Sequence, residues 1–333
     1  MPEKKRVLVT GGAGFIGSHI VARHLIAGDE VWAIDNLHSG RMENIAFCNF
    51  NPHFKFSQAD ICDWPEMKEA VKWADRIYHM ASYVGQWMVL KQPIATLTNN
   101  IYGTESVLSA MGDTKSAARL IIASTSSVYC HNKVGPDGMV SETDTLSIPS
   151  GKFRQECYLT SKLIGEVFAL SYAYEKEIHC TLARIFNTVG VNQSPAYGMV
   201  VPNFVEKALL QQPINVFGDG EQSRSFSDVR DTVRALSLLL ESPEAKGEIV
   251  NVGDDRECSI NDLADLVKRL THSHSEIRHI SYEEAYGVDF VDVRRRRPDL
   301  RKLRRLTDFQ PQYSITDTIE QVILSVKKRL QLV

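Results

Sequence analysis

Tyr158 and Lys162 stand four residues apart in the segment Tyr158-Leu-Thr-Ser-Lys162. On a helix that spacing stacks phenol and ammonium on one face, about 5–6 Å apart. A lysine so placed lowers the pKa of a tyrosine, which is about 10 when unperturbed. Bringing the phenol to neutrality takes about three units, roughly 4 kcal/mol of preferential tyrosinate stabilisation. The chemistry on offer is removal of a proton from an alcohol or sugar hydroxyl by a general base. Spacing alone equally describes an exposed surface pair, so the surrounding elements must decide.

A second chemical segment lies near the start. Gly11-Gly-Ala-Gly14-Phe15-Ile16-Gly17 follows the strand-like Val7-Leu-Val-Thr10 and opens an amphipathic stretch, Phe15–Ala27. Glycine there permits the tight turn, lets backbone N–H groups approach a pyrophosphate, and allows helix and strand to pack closely. Asp35 ends the next apolar run, eighteen residues beyond Gly17. Its carboxylate can accept hydrogen bonds from both hydroxyls of an adenosine ribose and would repel a 2′-phosphate, so NAD is expected over NADP. Asp60-Ile61 reads as a further contact, to the adenine edge, or as an ordinary strand-end aspartate.

The elements that must hold these residues alternate. Val7–Thr10, Val31–Ile34, Ile77–Met80, Leu120–Ala123 and Cys180–Ala183 read as strands buried on both faces. Phe15–Ala27, Pro93–Met111 and Tyr158–Tyr174 read as helices between them. Alternation of this kind predicts βαβ units and an α/β, Rossmann-type doubly wound parallel sheet. The pattern changes near residue 187, and Glu248–Val252 resembles one more sheet strand. We expect an NAD-binding domain of 1–187 plus about 228–258. A smaller domain would combine about 188–227 with 259–333.

The 333 residues suffice for a substantial core, and 43% hydrophobic with 24% charged residues is ordinary globular composition. A net charge of −3 gives no general attraction to nucleic acid or an anionic membrane surface. Residues 294–305 hold eight basic side chains in twelve positions; a solvated basic face is the ordinary reading of such a run, and it is too short in an otherwise acidic chain to suggest nucleic acid. No apolar run reaches membrane-spanning length, and the N-terminal segment lacks the features of a signal peptide. The six cysteines show no C-x-x-C, so neither a zinc site nor a disulfide framework is indicated. The expectation is a reduced, cytoplasmic protein.

With these parts in order, the chain resembles the extended short-chain dehydrogenase/reductase superfamily, in its NAD-dependent sugar-nucleotide epimerase/dehydratase branch. The resemblance rests on Gly11–Gly17, Asp35-Asn36-Leu37, His79-Met-Ala81, Asn99-Asn100-Ile-Tyr-Gly-Thr104, Ser124–Tyr129 and Tyr158-x-x-x-Lys162. It continues through Arg184-Ile-Phe-Asn187, Val216–Gly220, Arg224-Ser-Phe and Arg297-Pro-Asp299. It implies that Thr125 hydrogen-bonds the reacting sugar hydroxyl, Tyr158 takes its proton, and Lys162 tunes Tyr158 and binds the nicotinamide ribose. Phe15, Ile16, Asn36, Ala81 and Asn100 join the cofactor set. Ser126, Ser127, Asn187, Val200, Phe217, Arg224 and Arg296 join the substrate set, with Phe217 stacking on uracil and the arginines meeting phosphate. A homodimer through a four-helix interface is also implied.

The resemblance separates reactions at one place. Similar dehydratases carry Asp-Glu after the threonine, and similar decarboxylases carry Ser-Glu. This chain has Ser126-Ser127, and hydroxyls are poor proton-transfer groups at neutrality. That favours a UDP-hexose 4-epimerase, which needs only oxidation and return of hydride. Arg296 matches an arginine of decarboxylase relatives, so decarboxylation or dehydration stays open; a non-catalytic dinucleotide-binding scaffold is a third reading. Tyr83, Gln86 and Trp87 are expected at the sugar pocket, with Trp87 equally readable as packing. Cys130 stands where such relatives have glycine, and the hexose is not legible.

Overall fold

The computed structural model describes residues 4–130, 138–148, 156–286 and 293–332. Seven parallel strands form the central sheet: β1 (Arg6–Thr10), β2 (Glu30–Asp35), β3 (Phe54–Gln58), β4 (Arg76–His79), β5 (Arg119–Thr125), β6 (Cys180–Ile185) and β7 (Ile249–Val252). Their order is β3-β2-β1-β4-β5-β6-β7. The chain therefore reverses direction of growth beside β1, and the crevice beyond the carboxyl ends of β1 and β4 is where such sheets bind ligands.

Both faces of the sheet are covered, which explains why its strands read as unbroken apolar runs. Val7, Val9, Ala33, Ile121 and Val250 pack with residues of helices Phe15–Ile26 and Val229–Glu241. Leu8, Ile34, Ile77, Leu120, Ile122 and Leu182 pack on the opposite side with Val107, Leu108, Met111 and Ala169. Those last residues come from the helices Pro93–Thr114 and Glu156–Lys176, the second of which carries Tyr158 and Lys162.

A separate apolar cluster joins helices Val200–Leu209, Ile260–Thr271 and Ile315–Arg329 through Phe204, Val205, Leu263, Val267, Ile319 and Val322. Beside it runs a small sheet in which Ser223–Ser225 pairs antiparallel with Glu257–Ser259 and parallel with Arg295–Pro298. Met139–Val140 extends that sheet at the far side of Arg295–Pro298. The expected strand near 248–252 is present and closes the main sheet against β6, although some sixty residues of other structure separate the two in sequence.

Candidate active site

Thr10 ends β1 and the chain turns at once into the first helix. Gly11 has φ +69°, the left-handed region in which a side chain would be strained. At Gly17 a Cβ would lie 2.0 Å from the Gly11 carbonyl oxygen, so only glycine lets the helix start this close to the turn. The resulting cleft is lined by Gly11, Gly14, Phe15, Ile16, Gly17, Asp35, Asn36, Ile61 and Ala81, all expected from the sequence. A helix N-terminus with bare glycines under it suits a pyrophosphate, so the residues present fit a dinucleotide.

Asp35 is buried, and its carboxylate accepts the N–H groups of Leu37 at 2.8 Å and Ala13 at 3.1 Å. Burial raises its pKa, and those N–H groups work against the rise. Asp60 lies beside the cleft, occupied with other partners. It accepts from Asn36 Nδ2 and from the Cys62 N–H, both at 2.9 Å. Against burial, those bonds hold its carboxyl below the usual range. Asp60 thus serves to place Asn36 beside the cleft.

Asn100 is buried between helices. It accepts the Tyr83 N–H at 2.7 Å and donates to Ser161 Oγ at 3.0 Å, tying the loop after β4 to the helix of Tyr158. Sequence reasoning did not single out His38 as a cofactor-side residue. Its ring stacks on Tyr83 with centroids 4.3 Å apart, and both line the cleft with Asp35. Tyr83, expected at a sugar pocket, lines this cleft. The side chains of Gln86 and Trp87 lie outside the described ones. Ala59, Met80 and Ala123 also line the cleft, and the only signal for them was their place at strand ends.

Beneath the cleft His79 is clamped between Thr10 Oγ1 (2.8 Å) and Thr104 Oγ1 (3.1 Å). Burial, aided by the charge of Lys162, pushes its pKa down to about 3, so the ring is neutral.

Lys162 is buried, and its Nζ donates to the carbonyl of Ala123 at 2.8 Å. Burial lowers its pKa to about 8, opposed by Glu166 one turn later. Tyr158, one turn earlier, hydrogen-bonds the Thr125 hydroxyl, and Arg296 faces it electrostatically. Burial raises the phenol above 10, while Thr125 and Arg296 pull it down. The Lys162 ammonium, one turn along the same helix from Tyr158, is turned to the Ala123 carbonyl. Thr125 also donates to Ser127 Oγ at 3.2 Å and accepts the Ser127 N–H at 3.1 Å, capping the turn Ser126–Tyr129. Ser126 is buried in that turn.

Arg224 and Arg296 are in register on paired strands, which puts their side chains on one face of the small sheet. Arg224 is buried and Asn187 donates to the neighbouring Ser225 carbonyl at 3.4 Å. Thr125 is thus tied to Ser127 in the turn that Cys130 ends, and Arg296, in register with Arg224, donates to the Cys130 Sγ at 3.0 Å. Phe217 ends the strand Ile214–Phe217, and Val200 packs against the apolar cluster of its own helix.

The basic run is more than a solvated face. Arg294 binds Asp219, Arg295 binds Glu257, Arg301 binds Asp299, Lys302 binds Glu248 and Arg304 binds Asp255. Arg294, Arg295 and Arg301 keep exposed side chains, so they are solvated as expected while also pairing with carboxylates; Asp299 of the run itself supplies one partner.

The description "NAD dependent epimerase/dehydratase family" fits residues 7–253. The chain belongs to that family. It uses NAD, as the family does, and among the described residues no helix is long and apolar enough to cross a membrane. It is 34% identical over 329 residues to UDP-glucuronic acid decarboxylase 1 of Xenopus tropicalis, covering 99% of this chain and 74% of the relative. It is 32% identical over 321 residues to UDP-N-acetyl-alpha-D-glucosaminuronate decarboxylase of Bacillus cytotoxicus, covering 96% and 97%. The crystal structure of UDP-glucose 4-epimerase from Thermotoga maritima with UDP-glucose superposes with a TM-score of 0.85 at 29% identity, over 98% of this chain and 99% of that one. The chain is thus an enzyme of the sugar-nucleotide epimerase/dehydratase class.

Proposed function

We propose that this enzyme is a UDP-hexose 4-epimerase. Ser126-Ser127 carries the reading. The turn next to Thr125 offers two hydroxyls, and Ser127 is engaged with Thr125 itself, so the turn supplies no carboxylate to eliminate a group from the neighbouring carbon. Bound in the cleft by Gly11, Gly14, Gly17 and Asp35, NAD supplies acceptance and return of a hydride. Thr125 orients the sugar hydroxyl. Tyr158 takes its proton at the phenolic oxygen and gives it back after the 4-keto sugar has turned over in the pocket. Lys162 holds a positive charge beside the cleft through Ala123. Arg224 and Arg296 meet the diphosphate, with Asn187 and Phe217 at the nucleotide end.

Two broader features belong to the same proposal. Residues 1–187 plus about 228–258 hold NAD, and about 188–227 plus 259–333 hold the nucleotide sugar; the separate apolar cluster of the latter supports the division. Two copies associate through the helices Pro93–Thr114 and Glu156–Lys176, whose outward side chains Tyr102, Val167 and Tyr174 are apolar and exposed.

Decarboxylation of a UDP-uronate is the second reading, favoured by the names of the two relatives and by Arg296 at the phenol. Incubating the purified enzyme with UDP-glucose, UDP-N-acetylglucosamine and UDP-glucuronate separates the two. Product of unchanged mass with inverted C4, read by NMR, is expected. Loss of the mass of carbon dioxide from UDP-glucuronate, with no inversion of the other sugars, would replace epimerase by decarboxylase.

A further inference from the structure

Two rings from different loops meet across the cofactor cleft. β2 and β4 flank β1, and parallel strands about 4.8 Å apart put those two roughly 10 Å from each other. His38 lies three residues beyond the end of β2, and Tyr83 four beyond the end of β4. Their rings are nevertheless stacked, with centroids 4.3 Å apart and planes inclined by 14°. Both line the cleft together with Gly11, Gly14 and Gly17, which follow β1. The stack therefore joins the two walls of the cleft past the glycine turn that lies between them. Each ring stands on an anchored backbone. Tyr83 gives its N–H to Asn100 Oδ1 at 2.7 Å, and its carbonyl accepts Asn100 Nδ2 at 3.2 Å. The His38 N–H donates to Asn36 Oδ1 at 3.0 Å, and Asn36 is in turn held by Asp60. Tyr83 is half-buried and His38 is exposed, so the imidazole is an outer cover laid on the phenol.

We propose that His38 and Tyr83 form a clasp that slows exchange of the dinucleotide. A pyrophosphate seated on the glycine turn lies in the crevice between the loops after β2 and β4. The cofactor then leaves only when those loops part, and parting them separates the rings. An enzyme that takes a hydride from a sugar and hands it back must keep the reduced cofactor in place between the two transfers. Hydrogen bonds to Asp35 and to the glycine N–H groups govern how tightly the dinucleotide is held. The ring stack is a contact of the loops with each other, so it is broken on entry and on exit alike. It therefore slows both passages and leaves the equilibrium nearly unmoved. The inference needs only that NAD lies in this cleft, and it stands whichever reaction follows.

The test uses the enzyme loaded with NADH and no sugar, so it does not depend on the epimerase reading. Mixing with excess NAD in a stopped flow and following the fluorescence of bound NADH gives the release rate. His38→Ala, at an exposed side chain that the fold does not need, should speed release about 3- to 10-fold, what one ring stack is worth. Tyr83→Leu, which keeps apolar bulk, should do the same. NADH association should quicken by a similar factor, leaving the Kd from titration nearly unchanged. The double variant should release no faster than the quicker single variant, because either change already opens the stack. His38→Phe, which lays another flat ring on Tyr83, should return release to the wild-type rate. Unchanged or slower release in His38→Ala overturns the proposal. So does a Kd weakened as much as release is quickened, or effects that multiply in the double variant, since each ring would then be holding the cofactor by itself.

Discussion

At the scale of single residues the site is a problem of holding charge in a dry place. Tyr158 is raised by burial and lowered by a hydroxyl and a guanidinium, and Lys162 is lowered to about 8. Replacing Tyr158 with phenylalanine should leave the fold intact and reduce turnover by about 10²- to 10⁴-fold, the usual contribution of positioned proton transfer, measured by coupled assay. Lys162 gives a prediction in stability. Its folded pKa of about 8 lies below its ordinary 10.5, so between those values the unfolded chain binds the extra proton. Stability then rises with pH across that window, and below about pH 8 the buried ammonium is a standing cost. Urea midpoints of wild type and Lys162→Met should therefore diverge most near pH 7 and converge toward pH 10.5, the variant being more stable at the low end by up to about 3 kcal/mol. A constant difference across that range would mean the ammonium is not desolvated as the structure indicates.

The elements that carry these residues are bolted together by a buried polar network. Arg184 on β6 gives Glu166 a two-pronged pair, at 2.9 and 2.7 Å, and donates to Tyr129 Oη at 2.8 Å. Tyr129 passes a bond to Asn251 on β7, and Ser124 on β5 donates to the same Glu166 at 2.5 Å. The pair fixes the helix of Tyr158 to three strands at once. Glu166→Leu leaves Arg184 buried and unpaired, and should cost about 3–5 kcal/mol in chemical denaturation. Adding Arg184→Met should recover much of that loss, since the pair as a whole adds little over apolar packing. Little of this network was legible in the sequence. Strands buried on both faces announce themselves as apolar runs, and Gly11, Gly17 and Asp35 announce the cofactor crevice through their spacing. An inward Glu166 looks like any helix-surface glutamate until Arg184 is known to face it. The stack of His38 on Tyr83 was hidden for the same reason: the two belong to loops brought together by the strand order, separated by β1. The β3 strand was likewise faint, because Phe54-Lys-Phe-Ser-Gln mixes polar with apolar residues at the sheet's edge.

For the molecule as a whole, the outward faces of the helices Pro93–Thr114 and Glu156–Lys176 pose a question of assembly. Tyr102 is 60% exposed, Val167 65% and Tyr174 89%, a large apolar outlay for side chains that meet only water. If two copies meet there, Val167→Glu should halve the mass seen by sedimentation and leave the folded monomer's circular dichroism unchanged; an unaltered mass would place any interface elsewhere. The order of the strands carries a different consequence. β7 is made from residues 249–252 yet sits beside β6, so the sheet that holds the cofactor cleft cannot be completed until the chain has already run through the helix Val200–Leu209 and the strand of Arg224. During synthesis the first six strands must therefore wait, with the flank of β6 bare and able to pair wrongly, while the nucleotide-facing part is being made. A chain that stops short of Ile249 would keep every glycine of the phosphate loop and still lack the sheet's seventh strand.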